Sequence, residues 1–65
     1  MYRIKDLREA KGLTQEQLAQ LLGVTQGTIA HWESGARTPT LMNMVKIADV
    51  LGVSLDEVLG RTAAS

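Results

Sequence analysis

The sequence predicts an all-α fold of five short helices, and three observations predict it. A Ser or Thr with an apolar residue just before it and another four residues after it recurs along the chain. Glycines recur where amphipathic runs stop, at 12, 23, 35, 52 and 60. No stretch carries the apolar–polar alternation of a strand.

The first amphipathic run predicts a helix over about residues 2–11, closed by Gly12. Leu13-Thr14 with Leu18 then predicts a helix start: Thr14 is an N-cap, Gln17 completes a capping box, and Leu13 staples onto Leu18. That second helix spans about 15–22, with Leu18, Leu21 and Leu22 on its inward face. Val24-Thr25 with Ile29 repeats the signal and opens a third helix over about 26–34, whose inward pair is Ile29 and Trp32. Pro39-Thr40 with Met44 is a weaker repeat for a fourth helix over about 41–51, where Leu41, Met44, Val45, Ala48 and Leu51 share one face. Val53-Ser54 with Val58, and Glu57 at the capping-box position, start a fifth over about 55–59. "RTAAS", residues 61–65, is too short and polar to fold alone and is expected to fray, so the folded domain is expected to cover residues 1–60.

Only Gly23, Val24 and Thr25 separate the second helix from the third. A turn this short, with Thr25 doubling as the next N-cap and the small Ala19 where the helices cross, suits a helix-turn-helix over about 15–34.

Composition narrows the function. Sixty-five residues hold one domain with a small core, and at 45% hydrophobic and 22% charged the chain is too apolar for disorder. Without cysteine it has neither a disulfide framework nor a thiolate metal cage, which suits a reducing compartment. No apolar run approaches the roughly 20 residues of a membrane span, and the expected location is cytoplasmic. One His, no cluster of His and carboxylates at metal spacing and no Gly-rich phosphate loop leave no basis for an enzyme, a metal or a cofactor. Net charge is zero, but Arg3, Lys5, Arg8, Lys11, Arg37 and Lys46 outweigh Asp6, Glu9, Glu16 and Glu33 in the first 46 residues, while Asp49, Asp56 and Glu57 outweigh Arg61 after them. This is either scattered surface charge or a dipole.

"LTQEQLAQLLGVTQGTIAHWESG" resembles the Cro and phage-repressor type of helix-turn-helix, with the pattern T-Q-x-x-L-A-x-x-x-G-V-[ST]-Q-x-x-I-x-x-[WYL]-E-x-G, and "RTPTLMNMVKIADVLGVSLDEVLG" resembles that family's fourth and fifth helices. The resemblance implies a compact five-helix domain, a homodimer on double-stranded DNA, and a third helix in the major groove. It implies Gln26 as a base contact, and chemistry agrees, because a glutamine can bond adenine through both N6 and N7. Gln26 opens the helix and points off its end, Gly27 and His31 lie on the outward face, and Thr28 lies on its flank. Gly27 would let backbone approach DNA closely; Thr28 offers a hydroxyl or a methyl; His31 is either a guanine donor or a solvated surface residue. Gln15 and Arg37 are expected on phosphates, with Lys11 and Arg3 as further candidates. Glu33 looks misplaced beside a helix C-terminus, and the resemblance implies a structural ion pair with Arg8. Val50, Leu55 and Leu59 are expected at a dimer interface, although Leu55 and Leu59 can equally cap the chain's own core. A module that binds protein, such as an antitoxin neutralising a partner toxin, is the alternative that zero net charge favours.

Overall fold

The computed structural model describes residues 2–60, and the tail expected at 61–65 lies outside them. Among the described residues there are five α-helices: α1 (Ile4–Ala10), α2 (Gln15–Leu22), α3 (Gln26–Ser34), α4 (Leu41–Leu51) and α5 (Leu55–Leu59). Four of them start as the repeated signal requires. Thr14, Thr25, Thr40 and Ser54 are extended N-caps whose side chains accept from the backbone N–H of Gln17, Thr28, Asn43 and Glu57, each worth about 1 kcal/mol. Thr14 and Gln17 form the full reciprocal box, at 3.1 and 2.9 Å. At α5 Glu57 instead takes the Ser54 hydroxyl, at 3.4 Å. The staple residues Leu18, Ile29 and Val58 are all wholly buried, and Leu13, Val24 and Val53 are partly buried against the core.

The first helix is shorter than its amphipathic run. It begins at Ile4 rather than residue 2, because Arg3 provides no side-chain cap; the Arg3 N–H instead reaches Val58 O at 3.0 Å and ties the start of the chain to α5.

Each of α2, α3, α4 and α5 ends on a left-handed glycine. At Gly23 (φ 74°) the conformation decides the architecture. The chain reverses so tightly that Val24 N–H bonds Ala19 O at 3.0 Å, a closure that a side chain at a left-handed position 23 would strain. Ala19, 3% exposed, lies in the core, and α2 packs more closely on α3 than on any other helix.

The core joins Ile4 and Leu7 of α1, Leu18, Ala19 and Leu22 of α2, Ile29 and Trp32 of α3, Met44, Ile47, Ala48 and Leu51 of α4, and Val58 of α5. Two predicted faces are corrected. Leu21 is 58% exposed: the buried stripe of α2 is centred towards Ala19, which α3 covers, and Leu21 lies roughly 100° away round the helix. On α4, Leu41 and Val45 are exposed, while Ile47, outside the predicted face, is fully buried. The stripe is turned towards Ile47 because α5 packs along α4 and seats Val58 in the core.

Candidate nucleic-acid interface

The N-termini of α2 and α3 lie side by side. Thr14, Gln15, Glu16 and Gln26 line a shallow open concavity between them. In the first turn of each helix the earliest amides have no carbonyl one turn back to meet. The caps satisfy Gln17 and Thr28, which leaves the N–H groups of Gln15 and Glu16 on α2, and of Gln26 and Gly27 on α3, as donors at the positive ends of two helix dipoles. Such donors suit an anion, while the carboxylate of Glu16 in the same concavity opposes one.

A chain of hydrogen bonds runs from the part-buried Arg8 and Glu33 out to this surface. Arg8 Nε donates to Glu33 Oε2 at 2.6 Å and Arg8 Nη2 to Glu33 Oε1 at 3.1 Å, a two-pronged pair whose side chains are 9% and 5% exposed. Arg8 Nη1 donates to Leu13 O at 2.7 Å. Glu33 Oε1 also accepts from Gln15 Nε2 at 3.0 Å, and Gln15 Oε1 accepts from Gln26 Nε2 at 2.7 Å. The pair therefore fastens α1 to α3, and the two amides carry the connection across α2 to the first residue of α3.

Burial opposes ionisation of Glu33, but hydrogen bonds from Arg8 and Gln15 and the charges of Arg8 and Lys5 outweigh it and hold the carboxyl below its ordinary range. For Arg8, the hydrogen bond to Glu33 raises the pKa against desolvation, and the charges of Glu33 and Glu9 add to the rise. Both groups are charged at neutral pH, so Glu33 near a helix C-terminus is stabilised by its partner rather than by the dipole.

Along α3, Gln26, Gly27 and His31 are exposed, and Thr28 is half-buried. The Thr28 hydroxyl lies 2.9 Å from that of Thr25 and either can be the donor, so Thr28 keeps its methyl and either a lone pair or its O–H to offer. Arg37 is exposed just past α3, with its backbone fixed by a 3.2 Å bond from its N–H to His31 O. Gln15 and Gln26 thus share one surface with Thr14 and Glu16. Arg3 is exposed, with its backbone N–H on Val58 O, and Lys11 Nζ lies 3.9 Å from where a Cβ on Gly52 would stand, at the end of α4. Val50 is 36% exposed, whereas Leu55 and Leu59 are half-buried against the core. Sequence reasoning missed the exposed apolar side chains Leu41 and Val45, which were hidden by a helical spacing that fits a buried face equally well.

Gly27 has no internal reason to be glycine. Its φ is not positive, and an added Cβ would meet only Thr25 Oγ1, at 4.0 Å. Gly27→Ala is expected to stabilise the free domain by about 0.4–1 kcal/mol. If DNA approaches the bare backbone there, the same variant loses affinity. Melting temperature and duplex affinity measured on one preparation separate the two effects, and a stabilised variant with unchanged affinity would remove the close-approach role.

The sequence profile of the helix-turn-helix family matches residues 4–58. The chain belongs to that family, and within it to the Cro and phage-repressor type of DNA-binding domain. It is 43% identical over 61 residues to the cryptic phage CTXphi transcriptional repressor RstR of Vibrio cholerae, covering 94% of this chain and 54% of that protein. It is 39% identical over 59 residues to the transcriptional regulator AnsR of Bacillus subtilis, covering 91% of this chain and 51% of that one. The chain thus spans about half the length of these curated relatives. Among solved structures, the restriction-modification controller protein C.AhdI from Aeromonas hydrophila superposes with a TM-score of 0.81 at 39% identity, covering 86% of this chain and 85% of that one. These relatives are named as regulators or controllers, and no enzyme is among them. No helix among the described residues is long and apolar enough to cross a membrane, and none of them groups three or more metal-ligating side chains.

Proposed function

We propose that this chain binds double-stranded DNA sequence-specifically as a transcriptional repressor in the cytoplasm, with α3 in the major groove. The observation that carries this reading is the exposed Gln26 amide, held by Gln15 over two helix N-termini that offer free backbone donors. Gln26 then reads a base, with Gly27, Thr28 and His31 along the same groove, while Gln15 and Arg37 meet phosphates. Lys11 and Arg3 add positive charge as further phosphate contacts. The absence of Lys and Arg from α3 is no obstacle, because holding the backbone and reading bases are separate tasks. The repressor role rests on the name of the relative from Vibrio cholerae.

Gln26→Ala is expected to weaken binding to a preferred duplex by about 1–3 kcal/mol and to leave binding to random duplex nearly unchanged. Titrations of both duplexes at several salt concentrations check this. Equal losses on the two would remove Gln26 as a reader. Failure to bind any duplex at low salt would move the chain to the protein-binding class, with a toxin as one partner to test.

One short helix in one groove gives too few base contacts to select a site in a genome, so the reading includes a homodimer that sets two α3 helices about 34 Å apart. Val50 supplies the exposed apolar contact, and Leu55 and Leu59 supply the edges that their own core leaves open. Sedimentation with a palindromic duplex is expected to show two wild-type copies bound cooperatively and Val50→Glu bound with that cooperativity lost. Undiminished cooperativity in the variant would place the interface elsewhere.

A further inference from the structure

The geometry points to a positioning role for Glu33: through Gln15 it fixes which end of the Gln26 amide faces the base, and so makes the site reject guanine where adenine is accepted. The inference rests on Gln26 being the base reader. It follows from counting donors and acceptors along the chain of hydrogen bonds from Arg8 to Gln26.

An ionised carboxylate only accepts hydrogen bonds, and a guanidinium only donates. Glu33 Oε1, already bonded by Arg8, can be met by Gln15 at 3.0 Å only through the NH2 end; the reverse orientation would set two acceptors against each other. The Gln15 carbonyl oxygen must then point outward. At 2.7 Å from it, Gln26 must in turn present its NH2 end. One N–H of Gln26 is consumed, and what remains for a ligand is Oε1 as acceptor and one N–H as donor.

That pair is the complement of adenine in the major groove, which offers N6–H as donor and N7 as acceptor. Guanine offers two acceptors, O6 and N7, and the fixed Oε1 faces one of them with repulsion. An unrestrained glutamine would turn its amide over and give both N–H groups to guanine. Here that flip breaks the Gln15–Gln26 bond and sets two oxygens together, in a network whose inner end is a charge-assisted pair that cannot turn with it. Arg8 and Glu33 therefore act on specificity without touching DNA.

The test is the ratio of affinities for a preferred duplex and for the same duplex with the adenine read by Gln26 changed to guanine. Two variants break the chain at different links. Gln15→Met keeps the length and removes the amide; Arg8→Met with Glu33→Leu removes the inner acceptor and leaves Gln15 in place. Circular dichroism melting establishes that each is folded, and Gln15→Met keeps the ion pair should the double variant fail to fold. Each folded variant is expected to lose about tenfold in the adenine-to-guanine ratio. A loss of phosphate contact or of stability lowers both affinities together and leaves the ratio alone. A ratio unchanged in Gln15→Met but collapsed in Gln26→Ala would overturn the role of Glu33 and keep Gln26 as the reader. A ratio that Gln26→Ala does not change would overturn both.

Discussion

Arg8→Ala is expected to destabilise the fold by about 3–5 kcal/mol, because it leaves the Glu33 carboxylate buried without its partner. A chain of this length holds only about 3–10 kcal/mol in total, so the variant lies at the edge of unfolding. Removing both charges, as in Arg8→Met with Glu33→Leu, spares the orphaned carboxylate and is expected to cost far less. Acid acts on the same bond. The Glu33 carboxyl is held below its ordinary value of 4.5, so its contribution is fully present above that value and is lost as pH falls through the lower folded one. Urea unfolding of the wild type is expected to show stability falling below about pH 4.5, and Glu33→Gln a flatter profile over that range. Equal acid sensitivity in the two would show that other carboxylates set the acid limit.

The second large effect falls on Trp32. It is 6% exposed and, with Ile29, holds α3 onto the core. Trp32→Ala is expected to cost about 3–5 kcal/mol, comparable with the whole stability of the domain. A tryptophan that stacked on bases would give the opposite pattern, a folded variant with impaired binding. Far-ultraviolet circular dichroism against temperature, without DNA, separates the two: loss of the cooperative transition is expected, and a melt like the wild type's would contradict the buried role.

The helix boundaries were legible in the sequence because they are set locally. A Thr or Ser with its staple and a glycine at the end need only neighbours along the chain, and the four capped helices run as those signals mark them. The start of α1 lacked such a signal because its anchor is Val58 O, far away in sequence. Buried faces were legible only in part. Apolar spacing says that α2 and α4 have an inward stripe, but its rotation depends on where α3 and α5 lie, and so Leu21, Leu41 and Val45 are exposed while Ile47 is not. Within the candidate site, Gln15 and Gln26 could be singled out one at a time. Their contact depends on the crossing of α2 and α3 at Gly23, and the path from Gln15 to Glu33 depends on three helices meeting.

The central claim is that α3 reads sequence in the major groove through Gln26. Selection of bound sites from random duplexes, run in parallel with wild type and Gln26→Ala, tests it most directly. The wild type is expected to enrich paired half-sites about 10–10.5 base pairs apart, centre to centre, each with an adenine that Gln26→Ala no longer requires. No enrichment by the wild type, or the same enriched sequence with both proteins, would contradict the claim.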